Sequence, residues 1–325
     1  MASSAFKRLV RFVPKSAPSS ILIGEPVQAS LDVGLASREG KDISVNVFSG
    51  RSVLSPGSRT DRTESVERLL SPLAQEEVGT IRCIGLNYVQ HAKEVNMDIP
   101  TIPTLFLKPN TALGDPWPAP TLLPKITQND GSGDYESELA VVIGKAAKNV
   151  SEENAMDYVL GFTAANDVSS RVSQLNQSQW CFSKGFDGAC PIVIGPTLVS
   201  TSEIPDPSKL HIRGLKNGKV LQDCSLDDLI FSVPKLINSS IRSLVLSKYA
   251  MTLEEPVETS APLDTELRIK EIKDMIKHLH SLGLASVTLL VSRRSKSGYP
   301  TALASKGVLK SGFVLGDKIE TLDCI

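Results

Sequence analysis

The chain has 325 residues, is 41% hydrophobic and 22% charged, and carries a formal net charge of −1. That length suits one large domain, or one large and one small, and the composition is that of an ordinary soluble globular protein. The near-neutral balance excludes bulk electrostatic attraction to nucleic acid or an anionic membrane, and no apolar run is long enough to span a bilayer. The five cysteines (Cys83, Cys181, Cys190, Cys224 and Cys324) are scattered and odd in number and form no C-x-x-C pair, which suggests reduced thiols in a reducing compartment.

In chain order, Lys7, Arg8, Arg11 and Lys15 precede the first acid, Glu25, among frequent serines. Transit peptides share that pattern. Residues 9–13 and 21–27 read equally as two strands, and the strand reading is preferred. The expected location is cytoplasmic, with a mitochondrial one as the alternative. Residues 51–75 hold few large apolar groups before Val66, Leu69 and Leu70, and read as a loop and short helix that close a small N-terminal β domain over 1–75. From Ile81 onward, apolar β-branched runs at 82–86, 104–107, 139–143, 159–165 and 191–194 read as strands of a second domain over 76–325. A helix is predicted over 152–156 with Ser151 as its N-cap. Asn217-Gly218 between two apolar runs signals a two-residue hairpin. Residues 239–279 are crowded with charge. Pro256 and Pro262 make the first half a loop, and Ile269, Ile272, Ile276 and Leu279 recur at helical spacing. The class is a β-rich α+β fold.

Four clusters carry chemistry. Glu136 and Glu138 open the run 139–143, and side chains two apart on a strand point the same way. Two like charges aimed at one spot repel unless something positive lies between them, and a divalent metal with oxygen ligands is the natural candidate. An isolated Glu-x-Glu is more often a solvated strand edge. His91 and Glu94 are neighbours on a helical turn, and a carboxylate beside an imidazole orients it and raises its basicity. A surface pair at the same spacing is the bland alternative. Asp167 ends the run 159–165, where a lone Asp is commonly a helix cap. Lys184 and Asp187 sit among Phe182 and Phe186, an ordinary ion pair if taken alone.

In this order and spacing the set resembles the fumarylacetoacetate hydrolase family, specifically its smaller metal-dependent acylpyruvate hydrolases and oxaloacetate tautomerases. The matching runs are Ile84-Gly85-Leu86-Asn87-Tyr88 with His91 and Glu94, Phe106-Leu107-Lys108-Pro109, Tyr135-Glu136-Ser137-Glu138-Leu139 through Lys145, and Asn166-Asp167-Val168-Ser169-Ser170-Arg171. Ser183-Lys184-Gly185-Phe186-Asp187, Ile194-Gly195-Pro196, Asn217-Gly218 with Gln222, and Leu229 through Val233 continue the match, which covers about residues 80–238. The resemblance implies a mixed β-sandwich roll behind a small N-terminal β domain, usually a homodimer. It implies Mg²⁺ or Mn²⁺ held by Glu136, Glu138 and Asp167, a base dyad at His91 and Glu94, a cationic catalytic residue at Lys184, and substrate contacts at Arg171 and Gln174.

The likeness weakens toward the C-terminus. The family's Thr-Gly-Thr-Pro loop is expected after a strand at 287–291, where this chain has Ser292-Arg293-Arg294-Ser295. The segment at about 239–275 has no counterpart, and reads as an insertion, a diverged subunit contact or translated non-coding sequence. The expected function is metal-dependent hydrolysis of a carbon–carbon bond in a 1,3-dicarbonyl or acylpyruvate-type keto acid. Oxaloacetate tautomerisation or decarboxylation on the same site is the alternative, and a third is a binding protein that has lost turnover with its loop.

Overall fold

The computed structural model describes residues 6–128, 133–188, 190–191, 196–243 and 251–254. Strands β1 (Arg8–Pro14) and β2 (Leu22–Pro26) are those expected from the sequence. Helix α1 (Val33–Arg38) is started by the Asp32 carboxylate, which accepts from the Leu35 N–H at 2.8 Å. Strands β3 (Ser44–Phe48) and β4 (Arg59–Leu70) follow. β4 overturns the loop-and-helix reading of 51–75. Half of its side chains are exposed, and its buried residues, Val66, Leu69 and Leu70, break a period of two because the β1–β4 register shifts at Val13/Pro14. β1 pairs with β2 and β4, and β3 joins those two, so the first four strands close on themselves around Val10, Phe12, Val45, Val47 and Leu69.

The rest begins with β5 (Thr80–Gly85), α2 (Val89–Glu94), β6 (Thr104–Pro109), β7 (Leu113–Gly114), α3 (Lys125–Gln128) and β8 (Gly133–Asp134). It continues through β9 (Ser137–Ile143), β10 (Val159–Asn166), β11 (Ser169–Ser170), α4 (Arg171–Asn176), α5 (Cys181–Lys184), β12 (Cys190–Pro191) and β13 (Thr197–Ser200). It closes with the hairpin β14 (His211–Lys216) and β15 (Lys219–Ser225), then α6 (Val233–Ser243) and β16 (Met251–Glu254). Asn217 and Gly218 take φ of 54° and 79°, as a primed turn requires. The expected helix near 152 is a 3₁₀ helix, Glu152–Tyr158, and Ser151 makes no side-chain cap. Its hydroxyl instead accepts from Asn154 Nδ2 at 3.1 Å.

One ten-stranded sheet runs β2-β3-β4-β1-β13-β10-β9-β16-β5-β6. β9 lies near its centre and is buried along its whole length. Ala140 and Val142 face a core with Ile81, Cys83 and Phe106, while Leu139, Val141 and Ile143 face a second core with Phe162, Ile212 and Val233. The sheet is therefore covered on both faces, and the molecule is a β-rich α+β fold. β16 corrects the loop reading of the first half of 239–279. It lies parallel to β5 and antiparallel to β9, filling the space between them. The expected helix over 269–279 lies outside the described residues. Among the described residues no helix is long and apolar enough to cross a membrane.

Candidate active site

The β9–β10 register builds the acidic cluster. Ala165 lies opposite Glu138 and Asn166 opposite Ser137, which carries Asp167 alongside Glu136. The Asp167 N–H donates to the Glu136 carbonyl at 2.8 Å, and the Glu136 N–H donates to Asn166 Oδ1 at 3.1 Å. Alternation then puts Glu136, Glu138 and Asp167 on one face of the sheet. Their ligand oxygens lie within 4.8 Å of one another, and none of the three residues is more than 3% exposed.

Three cations crowd this cluster. Lys184 Nζ lies 2.6 Å from Glu136 Oε2 and 3.2 Å from Asp167 Oδ2. Lys108 Nζ pairs with Asp167 Oδ1 and donates to the Val168 carbonyl at 3.2 Å. The Arg171 guanidinium lies 2.5 Å from Glu136 Oε1 through one terminal nitrogen and 2.7 Å from Asp134 Oδ2 through Nε. The same terminal nitrogen donates to Gln174 Oε1 at 3.0 Å. Among the described residues, Glu136, Glu138, Asp167 and the partly buried Asp134 meet these three bases. A hard divalent cation fits Glu136, Glu138 and Asp167, because the donors they offer are all carboxylate oxygens.

Behind Lys184 the packing is aromatic. Its ammonium lies 5.1 Å from the Phe106 ring centroid, and Trp180 meets Phe106 edge-on at 5.3 Å. A Cβ at Gly85 would come within 2.7 Å of the Trp180 ring, so glycine makes room for this stack.

His91 and Glu94 lie on α2, as the spacing predicts. His91 is 3% exposed, and burial pushes its pKa down to about 4, opposed by Glu136 and assisted by Arg171 and Lys184. These influences put the imidazole within electrostatic reach of the carboxylate cluster, and it is neutral at physiological pH. His91 Nδ1 and Glu94 Oε2 are 4.0 Å apart, longer than a hydrogen bond. Glu94 is partly exposed, and its carboxyl is shifted upward by desolvation and then by the negative charge of Asp228.

Glu136, Glu138, Asp167, Lys184, Arg171 and Gln174 thus converge, with His91 nearby. Lys184, expected from the resemblance as a cationic site residue, pairs with Glu136 and Asp167. Arg171 is bound both to Gln174 and to Glu136. Sequence reasoning gave no role to Lys108, Asp134 or Asn166. Lys108 had a signal: it is two residues from Phe106 on β6, and both are buried. The cluster at 292–295, the strand at 287–291 and Gly195 lie outside the described residues.

A β-rich fold with buried carboxylates, lysines and an arginine gathered against one sheet face defines a class of acid-bearing β proteins whose carboxylates could hold a metal. A family model for the fumarylacetoacetate (FAA) hydrolase C-terminal region matches residues 80–249, and the chain belongs to the fumarylacetoacetate hydrolase family. It is 50% identical over 188 residues to caffeoylpyruvate hydrolase of Neonothopanus nambi, a match covering 57% of this chain and 64% of that protein. It is 42% identical over 171 residues to mitochondrial oxaloacetate tautomerase of Xenopus laevis, covering 52% of this chain and 51% of that one. Among solved structures, 2-hydroxyhepta-2,4-diene-1,7-dioate isomerase from Mycobacterium marinum is similar with a TM-score of 0.63 at 27% identity, covering 79% of this chain and 90% of that one. The chain spans less than two thirds of the length of those two curated relatives.

Proposed function

We propose that this chain is a metal-dependent enzyme that hydrolyses a carbon–carbon bond in an acylpyruvate-type 1,3-dicarbonyl keto acid. The observation that carries this reading is the buried convergence of Glu136, Glu138 and Asp167. The likeness to caffeoylpyruvate hydrolase supports the substrate class. Glu136, Glu138 and Asp167 would hold Mg²⁺ or Mn²⁺. Such an ion supplies a Lewis acid for the adjacent oxygens of an α-keto acid and for enolate charge.

The remaining chemistry belongs to the chain. His91, kept neutral by burial, takes a proton from the attacking water. A carbon–oxygen bond forms at the acyl carbonyl, the bond to the pyruvyl carbon breaks, and that carbon takes up the proton. Glu94 orients His91, its contact tightening from 4.0 Å once substrate is in place. Lys184 and Arg171 supply positive charge toward the substrate carboxylate, and Gln174 holds Arg171 in place.

A second reading is oxaloacetate tautomerisation, favoured by the likeness to the Xenopus protein. There His91 moves a proton between carbon and oxygen without water attack. The domain division near residue 75 and a homodimer belong to the same proposal. The first is supported by the closed ring of β1–β4, which ends before β5. The free thiols of Cys83, Cys181 and Cys224 support a reducing compartment, the cytoplasm or the mitochondrial matrix.

The test is purified chain with Mg²⁺ or Mn²⁺ assayed on acylpyruvates and on oxaloacetate, with Glu138→Ala as control. Cleavage of acylpyruvates that disappears in the variant supports the hydrolase. Enol–keto interconversion of oxaloacetate alone supports the tautomerase. Metal binding without turnover of either substrate sinks both enzymatic readings in favour of a binding protein.

A further inference from the structure

The two halves of the candidate site arise far apart in the sequence. The carboxylates come from the β9–β10 pair, and His91 comes from α2, a helix of six residues. Six residues are too few to hold a helix without tertiary support. Tyr88 precedes the helix and makes no side-chain cap. What supplies the missing support is a segment about 140 positions further along.

That segment grips α2 at its start. The Gln90 N–H, inside the first turn, donates to Asp228 Oδ2 at 2.9 Å. Asp228 thus serves as an N-cap delivered from elsewhere in the chain. Asn87, fully buried, donates through Nδ2 to the Phe231 carbonyl at 3.1 Å and accepts from the Phe231 N–H at 2.9 Å. The Ile230 N–H donates to the Asn87 carbonyl at 2.7 Å, and Tyr88 bridges Leu229. The influence of Asp228 on Glu94 agrees with this closeness.

The same segment grips the carboxylates at its other end. Gln222, 2% exposed, accepts through Oε1 from the Ser137 N–H at 2.9 Å. Ser137 is the residue between Glu136 and Glu138. Gly214 lies opposite Gln222 in the hairpin, and a Cβ there would come within 2.7 Å of both Gln222 Oε1 and Ser137 Oγ. Between the two grips, Leu226 is anchored in the core and its N–H donates to the Leu210 carbonyl at 3.0 Å.

We infer that residues 222–231 are a positioning brace that sets the helix bearing His91 against the metal carboxylates. Asp228 acts on His91 through the Gln90 amide, and Gln222 acts on Glu136 and Glu138 through the Ser137 amide. The inference rests on the roles proposed above for His91 and the carboxylates. Neither brace residue is a catalytic residue. An error of an ångström in where a base sits is enough to cost about 100-fold in rate.

The experiment uses the full chain with isotopically labelled histidine. The chain has four histidines, and His91→Ala assigns the ring of interest by the resonances it removes. Asp228→Ala is expected to move the His91 ring resonances and to lower kcat about 10- to 100-fold, with KM and Mg²⁺ affinity unchanged. Asp228→Asn keeps an acceptor oxygen and restores both readouts. Gln222→Ala is expected to weaken Mg²⁺ binding about 10- to 100-fold by calorimetry while leaving the His91 resonances in place. Thermal melting separates these local effects from unfolding. Unmoved His91 resonances in Asp228→Ala, an asparagine variant as impaired as the alanine one, or unchanged Mg²⁺ affinity in Gln222→Ala would each overturn the brace. If the wild type turns over neither substrate, the proposed function fails, and the resonance shifts still decide the brace.

Discussion

Glu138 is 1% exposed beside two other carboxylates. Glu138→Gln removes one of the three carboxylates that would share the ion, and one negative charge of the cluster with it. The expected result is a fall of at least roughly tenfold in Mg²⁺ or Mn²⁺ affinity, and loss of the rise in Tm that the ion gives the wild type. Calorimetric titration and thermal melting check it, and wild-type affinity in the variant would remove Glu138 from the ligand set. His91 makes a different kind of prediction. Its folded pKa of about 4 lies below the ordinary histidine value of 6.5, so between these values the unfolded chain binds more protons than the folded one. Stability from this group is full above 6.5 and is lost as pH falls toward 4. Melting wild type and His91→Gln across that window should show a shallower acid loss in the variant. On any substrate the wild type processes, His91→Ala should lower turnover about 10²- to 10⁴-fold with the metal retained. The residues that were legible here followed a short period: Glu136 with Glu138 along a strand, His91 with Glu94 around a helical turn. Asp134 was not legible, because its partner, Arg171, lies 37 positions away and only folding brings the two together.

At the scale of elements, β6 and α5 meet over Gly85. Thr104 pairs with Gly85 across the β5–β6 ladder, and the Trp180 ring lies over Gly85 where a side chain would be. Gly85→Ala must push Trp180 off Phe106, and with it the start of the helix that carries Lys184. The expected cost is about 1–3 kcal/mol in urea unfolding. Wild-type stability in that variant would show that Trp180 shifts freely and does not lock α5. Elements with apolar β-branched runs, such as β9 and β10, were readable because burial on both faces requires that composition. β4 was not, because a strand with only three of its twelve side chains buried carries the composition of a loop.

For the whole molecule, the decisive feature is that the sheet curls. β10 and β6 are separated by three strands, β9, β16 and β5, and neighbouring strands lie about 4.8 Å apart. A flat sheet would hold Lys108 on β6 far from Asp167 beyond the end of β10, yet the two side chains form an ion pair. The sheet therefore rolls, and its concave face gathers the carboxylates and their cations. β16 is structural to that roll, because it carries hydrogen bonds to β9 on one side and β5 on the other. Thr252 stands opposite Val141 and Arg82, and a proline there removes a main-chain donor from the middle of a central strand. Thr252→Pro is expected to cost about 3 kcal/mol or more, read as a lowered unfolding midpoint. An unchanged midpoint would mean that the sheet closes without β16.

The sequence by itself determined the carboxylate pair Glu136 and Glu138 at the start of β9, the strands around it and the hairpin at Asn217-Gly218, since each is set by neighbours within a few residues, and the order of such short runs carried the family likeness. Tertiary structure alone decided that Lys108 and Asp134 join the site, and that Asp228 caps the helix bearing His91. It also decided that residues 251–254 belong inside the sheet, between β9 and β5. Those contacts join positions tens to more than a hundred residues apart, and nothing in local spacing encodes which distant backbone or charge will fill a given gap.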